Sequence, residues 1–249
     1  MKIDINPIEK LKLQTMSLVS SLLLVFNEIR KRPSALREKH PEMVVKLQSQ
    51  ANPDSQGTGN KVTDQEAAFA FIMETLGFHF QPKDHPLPTS GLHYLYQLNG
   101  SQKSIDFRVF QTEEGKMVRH VDLDLKHTTS DVFYLNDGWF HKDVIYVITW
   151  ERRTSPPRIT KKSEVATFIA LGQDIPNAEE TAMMNELIAM KNKSNTDVKG
   201  VGSLCTYVRF ANRYKCERFT PEHTETCFQT IVDLHSPSDS SAAASVSAS

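Results

Sequence analysis

Residues 118–128 read Val-Arg-His-Val-Asp-Leu-Asp-Leu-Lys-His-Thr, and the alternation of apolar and polar side chains in this stretch predicts a β-strand. Because alternate residues of a strand share a face, Asp122, Asp124 and Lys126 point the same way, and the leucines between them point into the core. Two acids and a lysine on one face of a buried strand are expensive to remove from water unless they pair with each other or with a cation. The stretch therefore belongs to the core and also carries the candidate functional site.

A second predicted strand, 104–111, precedes it, and residues 113–116 (Glu-Glu-Gly-Lys) form a turn between the two. A hairpin about this turn pairs residues whose numbers sum to about 230, which places Asp106 opposite Asp124. Carboxylates that close repel each other unless a divalent cation lies between them, and such an oxygen-lined site suits Mg²⁺. Lys126, beside the cation, can orient or help activate a water and can neutralise charge in a transition state of phosphodiester cleavage.

The rest of the chain predicts helices first, then a meander of strands, then a mixed end. The further predicted elements are helices at 7–32, 34–49, 63–76 and 176–192 and strands at 92–98, 143–150 and 204–210. Thr63 and Glu66 form a capping box at the start of the third helix, and Asn99-Gly100 predicts a hairpin turn. This order predicts a mixed α/β (α+β) fold, a central mixed β-sheet flanked by helices.

We expect a single domain over residues 1–235, followed by a disordered Ser/Ala tail at 236–249. Within the domain, the predicted parts are N-terminal helices at 7–49, a core at about 63–150 and a C-terminal part at 151–235 that contacts the substrate.

The composition excludes several classes of protein. Among 249 residues, 29 Lys and Arg face 30 Asp and Glu, so the chain is not a histone-like cation that binds polyanions by bulk charge. Three Cys, with no CxxC pair, favour a reduced protein without a thiolate zinc site. The most apolar run, 18–26, is too short to span a bilayer, and Asp4 and Glu9 stand where a secretory leader would be basic. We therefore expect a soluble, cytoplasmic protein without a membrane partner.

Asp106, followed eighteen positions later by Asp124-Leu125-Lys126, resembles the signature of the PD-(D/E)xK nuclease superfamily. Residues 133–138 and 143–146 are similar to the segment that follows the catalytic strand in type II restriction endonucleases. Ile105 departs from the pattern, because a proline often precedes the first acid. The resemblance covers roughly residues 104–150, and the helix at 63–76 fits the same core.

The resemblance implies a restriction-endonuclease-like α/β core, a Mg²⁺ cofactor and site-specific hydrolysis of double-stranded DNA that leaves 5′-phosphate ends. It also implies a homodimer and a cognate DNA methyltransferase encoded nearby. Asp106 and Asp124 would bind the metal together with the backbone carbonyl of Leu125, and Lys126 would be the catalytic lysine. A third acid often comes from the preceding helix, and the candidates are Glu66 and Glu74.

Several alternatives stay open at the level of sequence. Asp122 shares the strand face and could replace Asp124 as a ligand. The acids and Lys126 could also form an ordinary ion pair on a solvated strand face. The chain could be a repair or recombination nuclease of the same superfamily, or a non-catalytic nucleic-acid-binding protein.

Basic residues cluster in three places that suit contact with DNA phosphates and bases. The first cluster is Arg30, Lys31, Arg32, Arg37 and Lys39. We favour the two that follow the core, and the candidate DNA contacts are Asn136, Arg152, Arg153, Arg158, Lys161, Lys162, Arg209, Arg213 and Lys215. Each cluster is equally typical of a solvated face.

Overall fold

A computed structural model of the chain describes residues 17–49, 61–97, 105–136, 139–153, 163–198 and 211–235. The helices are α1 (Leu18–Lys31), α2 (Pro41–Gln48), α3 (Asp64–Thr75), α4 (Ala178–Val198) and α5 (Pro221–His235), with 3₁₀ turns at Pro33–Arg37 and Cys216–Arg218. The strands are β1 (His79–Phe80), β2 (Gly91–Tyr96), β3 (Phe107–Glu113), β4 (Lys116–Thr128), β5 (Val132–Asn136), β6 (Val144–Arg153), β7 (Ser163–Leu171) and β8 (Ala211–Lys215).

A mixed six-stranded sheet with the order β1-β2-β3-β4-β6-β7 forms the centre, and β5 and β8 form a separate two-stranded sheet. β4 pairs antiparallel with β3 and parallel with β6. The predicted fold class, a mixed α/β fold with helices flanking a central mixed sheet, is confirmed.

β6 is apolar throughout its first half because it is covered on both faces. Ile145 and Val147 pack into one core with the helices α1, α2, α3 and α5. Val144, Tyr146 and Ile148 pack into a second core with the β5–β8 sheet and the residues that follow each of its strands. Since successive side chains of a strand point to opposite faces, a strand between two cores loses the polar alternation of a half-exposed strand.

Local sequence signals set the ends of the helices that frame the site. Ser17 caps α1 by accepting from the backbone N–H of Ser20, and Pro33 follows its last residues. The predicted capping box is present at the start of α3, where Thr63 and Glu66 satisfy each other's backbone N–H groups. Gly77, with a φ of +91°, lets the chain leave α3 in the left-handed region.

The hairpin register predicted between β3 and β4 is confirmed. Phe107 pairs with Leu123 and Gln111 with Arg119, so the residue numbers sum to 230. The turn closes at Glu114 and Gly115, both with positive φ, and a register shift follows at Gln111/Thr112. Asp106 lies immediately before β3 rather than within it.

Other predicted elements need correction. The predicted helix at 34–49 is a 3₁₀ turn followed by the shorter α2, because Pro41 begins a new helix. The sequence does not predict β1, β5, β7, β8 or α5, and β1 and β7 belong to the central sheet. Residues 1–16, Asn99-Gly100, 204–210 and the tail at 236–249 lie outside the described residues. Within the described part of the chain, no helix is long and apolar enough to cross a membrane.

Candidate functional site

The candidate site lies where β4 continues beyond the end of its pairing with β3. β3 begins at Phe107, opposite Leu123, whereas β4 continues to Thr128 and stays paired with β6. In this stretch Lys126 pairs with Ile148. The sheet therefore forks at the carboxyl end of β4, and one edge of this strand is left for side chains instead of a neighbouring strand.

The side chain of Asp106 hydrogen-bonds to the unpaired edge of β4. Its backbone N–H donates to the carbonyl of Leu123 at 3.0 Å, and its Oδ2 accepts the backbone N–H of Leu125 at 2.7 Å. Because the N–H and C=O of one strand residue point to the same edge, the carbonyl of Leu125 faces the Asp106 side of β4. The structure thus brings together the first acid and the backbone carbonyl that the resemblance implies.

Lys126 and Asp124 form an ion pair beside Asp106. Nζ of Lys126 donates to Oδ1 of Asp124 at 2.7 Å, and the side chain of Asp124 is only 2% exposed. Two residues apart on one strand face, they meet as the alternation predicts. The three side chains Asp106, Asp124 and Lys126 therefore converge.

The electrostatics show how closely these groups are coupled. Burial, followed by the neighbouring charge of Asp124, raises the pKa of Asp106 to about 7. Burial also raises the pKa of Asp124, although Lys126 opposes this change. The pKa of Lys126 is raised in spite of its burial, because Asp124 and Asp106 both favour the ammonium. The site holds more negative charge than one lysine compensates, which is the condition that favours a bound cation.

The two candidates for a third acid are separated by the structure. Glu66 accepts hydrogen bonds from the backbone and hydroxyl of Thr63 and from the Tyr96 hydroxyl at 2.9 Å. Its pKa is raised, first by burial and then by the charge of Asp106, so it faces the site. Glu74, two turns further along α3, is bound elsewhere: Lys46 and Tyr94 both donate to its Oε1.

Asp122 has a different partner. Arg108, its cross-strand neighbour on β3, donates to both of its carboxylate oxygens at 2.6 and 2.8 Å. This bidentate pair satisfies the acid away from the fork. Asp122 is therefore structurally engaged, and Asp124 is the acid that meets Asp106.

A cavity of about 660 Å³ opens onto this fork. Its lining comprises Leu36, Arg37, Lys39, Thr63, Asp64, Gln65, Glu66, Asp106, Leu125, Lys126, His127 and Glu151. It thus combines Asp106, Glu66 and Lys126 with two cations of the first basic cluster, Arg37 and Lys39. Sequence reasoning ranked that cluster behind the others, because it lies far upstream of the strands.

Gln65 is a site residue that no sequence pattern singled out. Its side-chain amide donates to the backbone carbonyl of Lys126 at 3.3 Å and to the hydroxyl of Thr149 at 3.1 Å. It therefore ties the first turn of α3 to β4 and β6. Its position beside the capping-box residue Glu66 was the one available signal.

Of the favoured DNA-contact residues, the structure describes the side chains of Arg152 and Lys215 only, and neither lines the cavity. Arg152 is exposed, with its guanidinium 5.8 Å from the Trp150 ring centroid, and Lys215 is exposed, 3.6 Å from Glu217. For Asn136, Arg153 and Arg213 only the backbone positions, in β5, β6 and β8, are described; outside the described residues lie Arg158, Lys161, Lys162 and Arg209.

The donor set at the fork consists of oxygen atoms only. Among the described residues, no three His, Cys, Asp or Glu side chains come together as a metal centre by themselves. Mg²⁺, however, commonly takes one or two carboxylates and keeps waters or substrate oxygens as its other ligands. Asp106 and Asp124, with the Leu125 carbonyl, match that requirement.

Comparison of the chain with models of protein families, with curated proteins and with solved structures gave no match. The function is therefore inferred from the geometry of the site.

Proposed function

We propose that this chain is a Mg²⁺-dependent endonuclease of the type II restriction class, which hydrolyses phosphodiester bonds in double-stranded DNA. The observation that carries the proposal is the convergence of Asp106, Asp124 and Lys126 at the fork between β3 and β4, where Asp106 and Lys126 line an open cavity and Asp124 lies buried behind them, paired with Lys126. Two acids and a lysine around one oxygen-lined position are suited to the cleavage of a phosphodiester.

The residues present fit a magnesium ion. Asp106 and Asp124 would hold it together with the Leu125 carbonyl, and Glu66 is the nearest further acid. The raised pKa values of Asp106 and Asp124 support this assignment: burial, their first cause, penalises both carboxylates, and a cation would stabilise the charged forms of the two acids. Bound there, Mg²⁺ would supply Lewis-acid polarisation of the scissile phosphate.

The chain's own residues supply position and charge. In this proposal Lys126 orients the attacking water and stabilises the negative charge that builds on the phosphoryl oxygens. The water oxygen bonds to phosphorus as the bond to the 3′ oxygen breaks, which leaves a 5′-phosphate and a 3′-hydroxyl. Gln65 donates to the backbone carbonyl of Lys126, and Tyr96 and Thr63 donate to the carboxylate of Glu66. These hydrogen bonds hold Lys126 and Glu66 in position, so that neither residue has to reorganise during the reaction.

The site-specific form of the proposal includes partners. A homodimer would offer one site to each DNA strand, and a methyltransferase encoded nearby would protect the host sequence. Sedimentation of the purified protein, with and without a DNA duplex, tests the dimer independently of cleavage.

The decisive experiment is incubation of the purified protein with unmethylated phage DNA and Mg²⁺, with EDTA as the control. Discrete bands that require Mg²⁺ support a site-specific endonuclease. A Mg²⁺-dependent smear, or nicks at branched structures, would assign the chain instead to repair or recombination. Absence of cutting on every duplex and branched DNA, by protein shown to be folded, would refute the nuclease assignment.

A further inference from the structure

Arg37 and Glu151 form an ion pair at the wall of the same cavity. Nη1 of Arg37, the last residue of the 3₁₀ turn, lies 3.3 Å from Oε1 of Glu151 on β6. The arginine side chain is 45% exposed and the glutamate side chain 18%. A guanidinium has five N–H donors in a planar fork, so a single contact at this distance leaves most of its donors facing the cavity.

Lys39 stands beside this pair. It is exposed, it lines the same cavity, and no ion pair joins it to a carboxylate among the described residues. Two cations separated by one residue therefore line a cavity whose lining also includes Glu66 and Asp106. Such a pair is suited to hold an anion such as a phosphate. The same anion would contact the acidic residues through a metal cation bound between them.

The register of the sheet gives the backbone spacing along β6 between the partner of Lys126 and Glu151. Lys126 pairs with Ile148, and Glu151 follows three residues further along β6, which is about 10 Å of extended strand. DNA carries a phosphate for each 3.4 Å of rise along one strand, so about 10 Å corresponds to about three such steps. A strand with one phosphate beside Lys126 therefore brings a nearby phosphate of the same strand towards Arg37, which lines the same cavity.

We infer that Arg37 and Lys39 form a second phosphate-binding site, which holds a backbone phosphate near the scissile one on the same strand, and that Glu151 occupies Arg37 until DNA displaces it. This inference rests on the proposed function, whose substrate contact it specifies. Arginine and lysine at such a site position the duplex and carry no sequence information. Glu151 competes with the phosphate, so its removal strengthens the binding of DNA.

The test measures binding without chemistry. A fluorescein-labelled DNA duplex of about 25 base pairs is titrated with protein in EDTA at several salt concentrations, a length that covers more than two turns of B-DNA. The variants are Arg37→Gln, Lys39→Gln and Glu151→Gln. Arg32→Gln is the matched control, because Arg32 belongs to the same basic cluster and pairs with Glu38 at 2.8 Å, yet does not line the cavity.

We expect Arg37→Gln to weaken binding about tenfold, as the loss of a charged hydrogen bond does, and to reduce the slope of log K against log salt by about one. Lys39→Gln should reduce the slope in the same way. Glu151→Gln should tighten binding by up to about fivefold, the range that an exposed ion pair allows. Arg32→Gln should bind like the wild-type protein.

Two results would overturn the inference: Arg37→Gln and Arg32→Gln with the same Kd and salt slope, or Glu151→Gln with weaker binding than the wild-type protein. Failure of the proposed function is recognised separately. If the variants behave as expected but the wild-type protein cuts no DNA with Mg²⁺, the phosphate site stands and the nuclease assignment falls. If the wild-type protein cuts DNA and Arg37→Gln binds DNA normally, the nuclease assignment stands and the phosphate site falls.

Discussion

Nζ of Lys126 lies 2.7 Å from Oδ1 of Asp124, and this contact compensates part of the cost of burying a carboxylate that is 2% exposed. A buried acid without such a partner is strongly destabilising. In the proposed reaction, the same ammonium supplies positive charge beside the substrate phosphate. One ion pair thus serves the stability of the fold and the chemistry proposed for it.

The first prediction concerns the three converging side chains. Asp106→Ala and Asp124→Ala should each lower the rate of DNA cleavage at least a hundredfold, since even the residues that support metal ligands contribute about tenfold to a hundredfold. Lys126→Ala should lower it about a hundred- to a thousandfold, the usual loss for a transition-state donor. Gel assays with Mg²⁺ measure the rates, and binding of the DNA duplex should survive.

Asp122→Asn is the matched control for this series. Asp122 lies on the same strand face, two residues before Asp124, but its partner is Arg108. The Asp122→Asn variant should cut DNA at close to the wild-type rate. Full activity of all three site variants, or an equal loss in Asp122→Asn, would contradict the assigned site.

The second prediction separates Glu66 from Glu74, the two candidates for a third acid on α3. Glu66→Gln removes a negative charge that faces Asp106, whereas Glu74→Gln removes one that Lys46 and Tyr94 hold away from the cavity. We expect Glu66→Gln to weaken Mg²⁺ binding about tenfold, as changes next to a metal site do. The Mg²⁺ dependence of cleavage measures this. A larger effect from Glu74→Gln than from Glu66→Gln would show that the third acid is wrongly assigned.

The third prediction is a pH dependence of stability without metal. The pKa of Asp106 rises from 3.8 to about 7 in the folded protein, so folding favours its protonated form. This contribution is complete below pH 3.8 and is lost as the pH rises through about 7. Asp124 shifts in the same direction. In EDTA, the free energy of unfolding should therefore fall between pH 5 and pH 8.

Urea unfolding at the two pH values measures this change, and Asp106→Asn provides the comparison. The amide mimics the protonated acid, so the variant should lose less stability at pH 8 than the wild-type protein does. Mg²⁺ competes with the proton for Asp106, so its affinity should rise with pH up to about 7. Stability in EDTA that rises between pH 5 and pH 8 is the opposite result.

The fourth prediction tests the two cores on either side of β6. Ile145→Ala and Ile148→Ala each leave a cavity in a different core and should cost about 2–5 kcal/mol of the free energy of unfolding. Val118→Ala, on the partly exposed part of β4, should change it by no more than about 0.5 kcal/mol. Urea denaturation measures all three. A cost for Ile148→Ala as small as that for Val118→Ala would mean that the second core does not support β6.

Much of the site could be predicted because its signals are local. Alternation on β4 and the short turn at 113–116 are enough to place Asp106 opposite Asp124, since a hairpin register depends on a few residues around the turn. The capping box at Thr63 is equally local, because its two hydrogen bonds span three residues. These are contacts between residues that are close along the chain.

Arg37 shows where prediction from sequence ended. It lies 114 positions before Glu151, and nothing near it in the sequence indicates that the 3₁₀ turn packs beside the end of β6. β7, which the sequence does not predict, pairs with β6 along its whole length. Each depends on contacts between distant segments.

The chain by itself determined the alternation, the turn and the spacing that set two aspartates and a lysine on paired strands, because strand periodicity acts over a few residues. Only the tertiary structure decided that Glu66, and not Glu74, lies beside Asp106. It also paired Asp122 with Arg108 and placed Arg37 and Lys39 at the cavity. The physical reason is that burial and charge at a site depend on the packing of helices against a sheet, which no local pattern encodes.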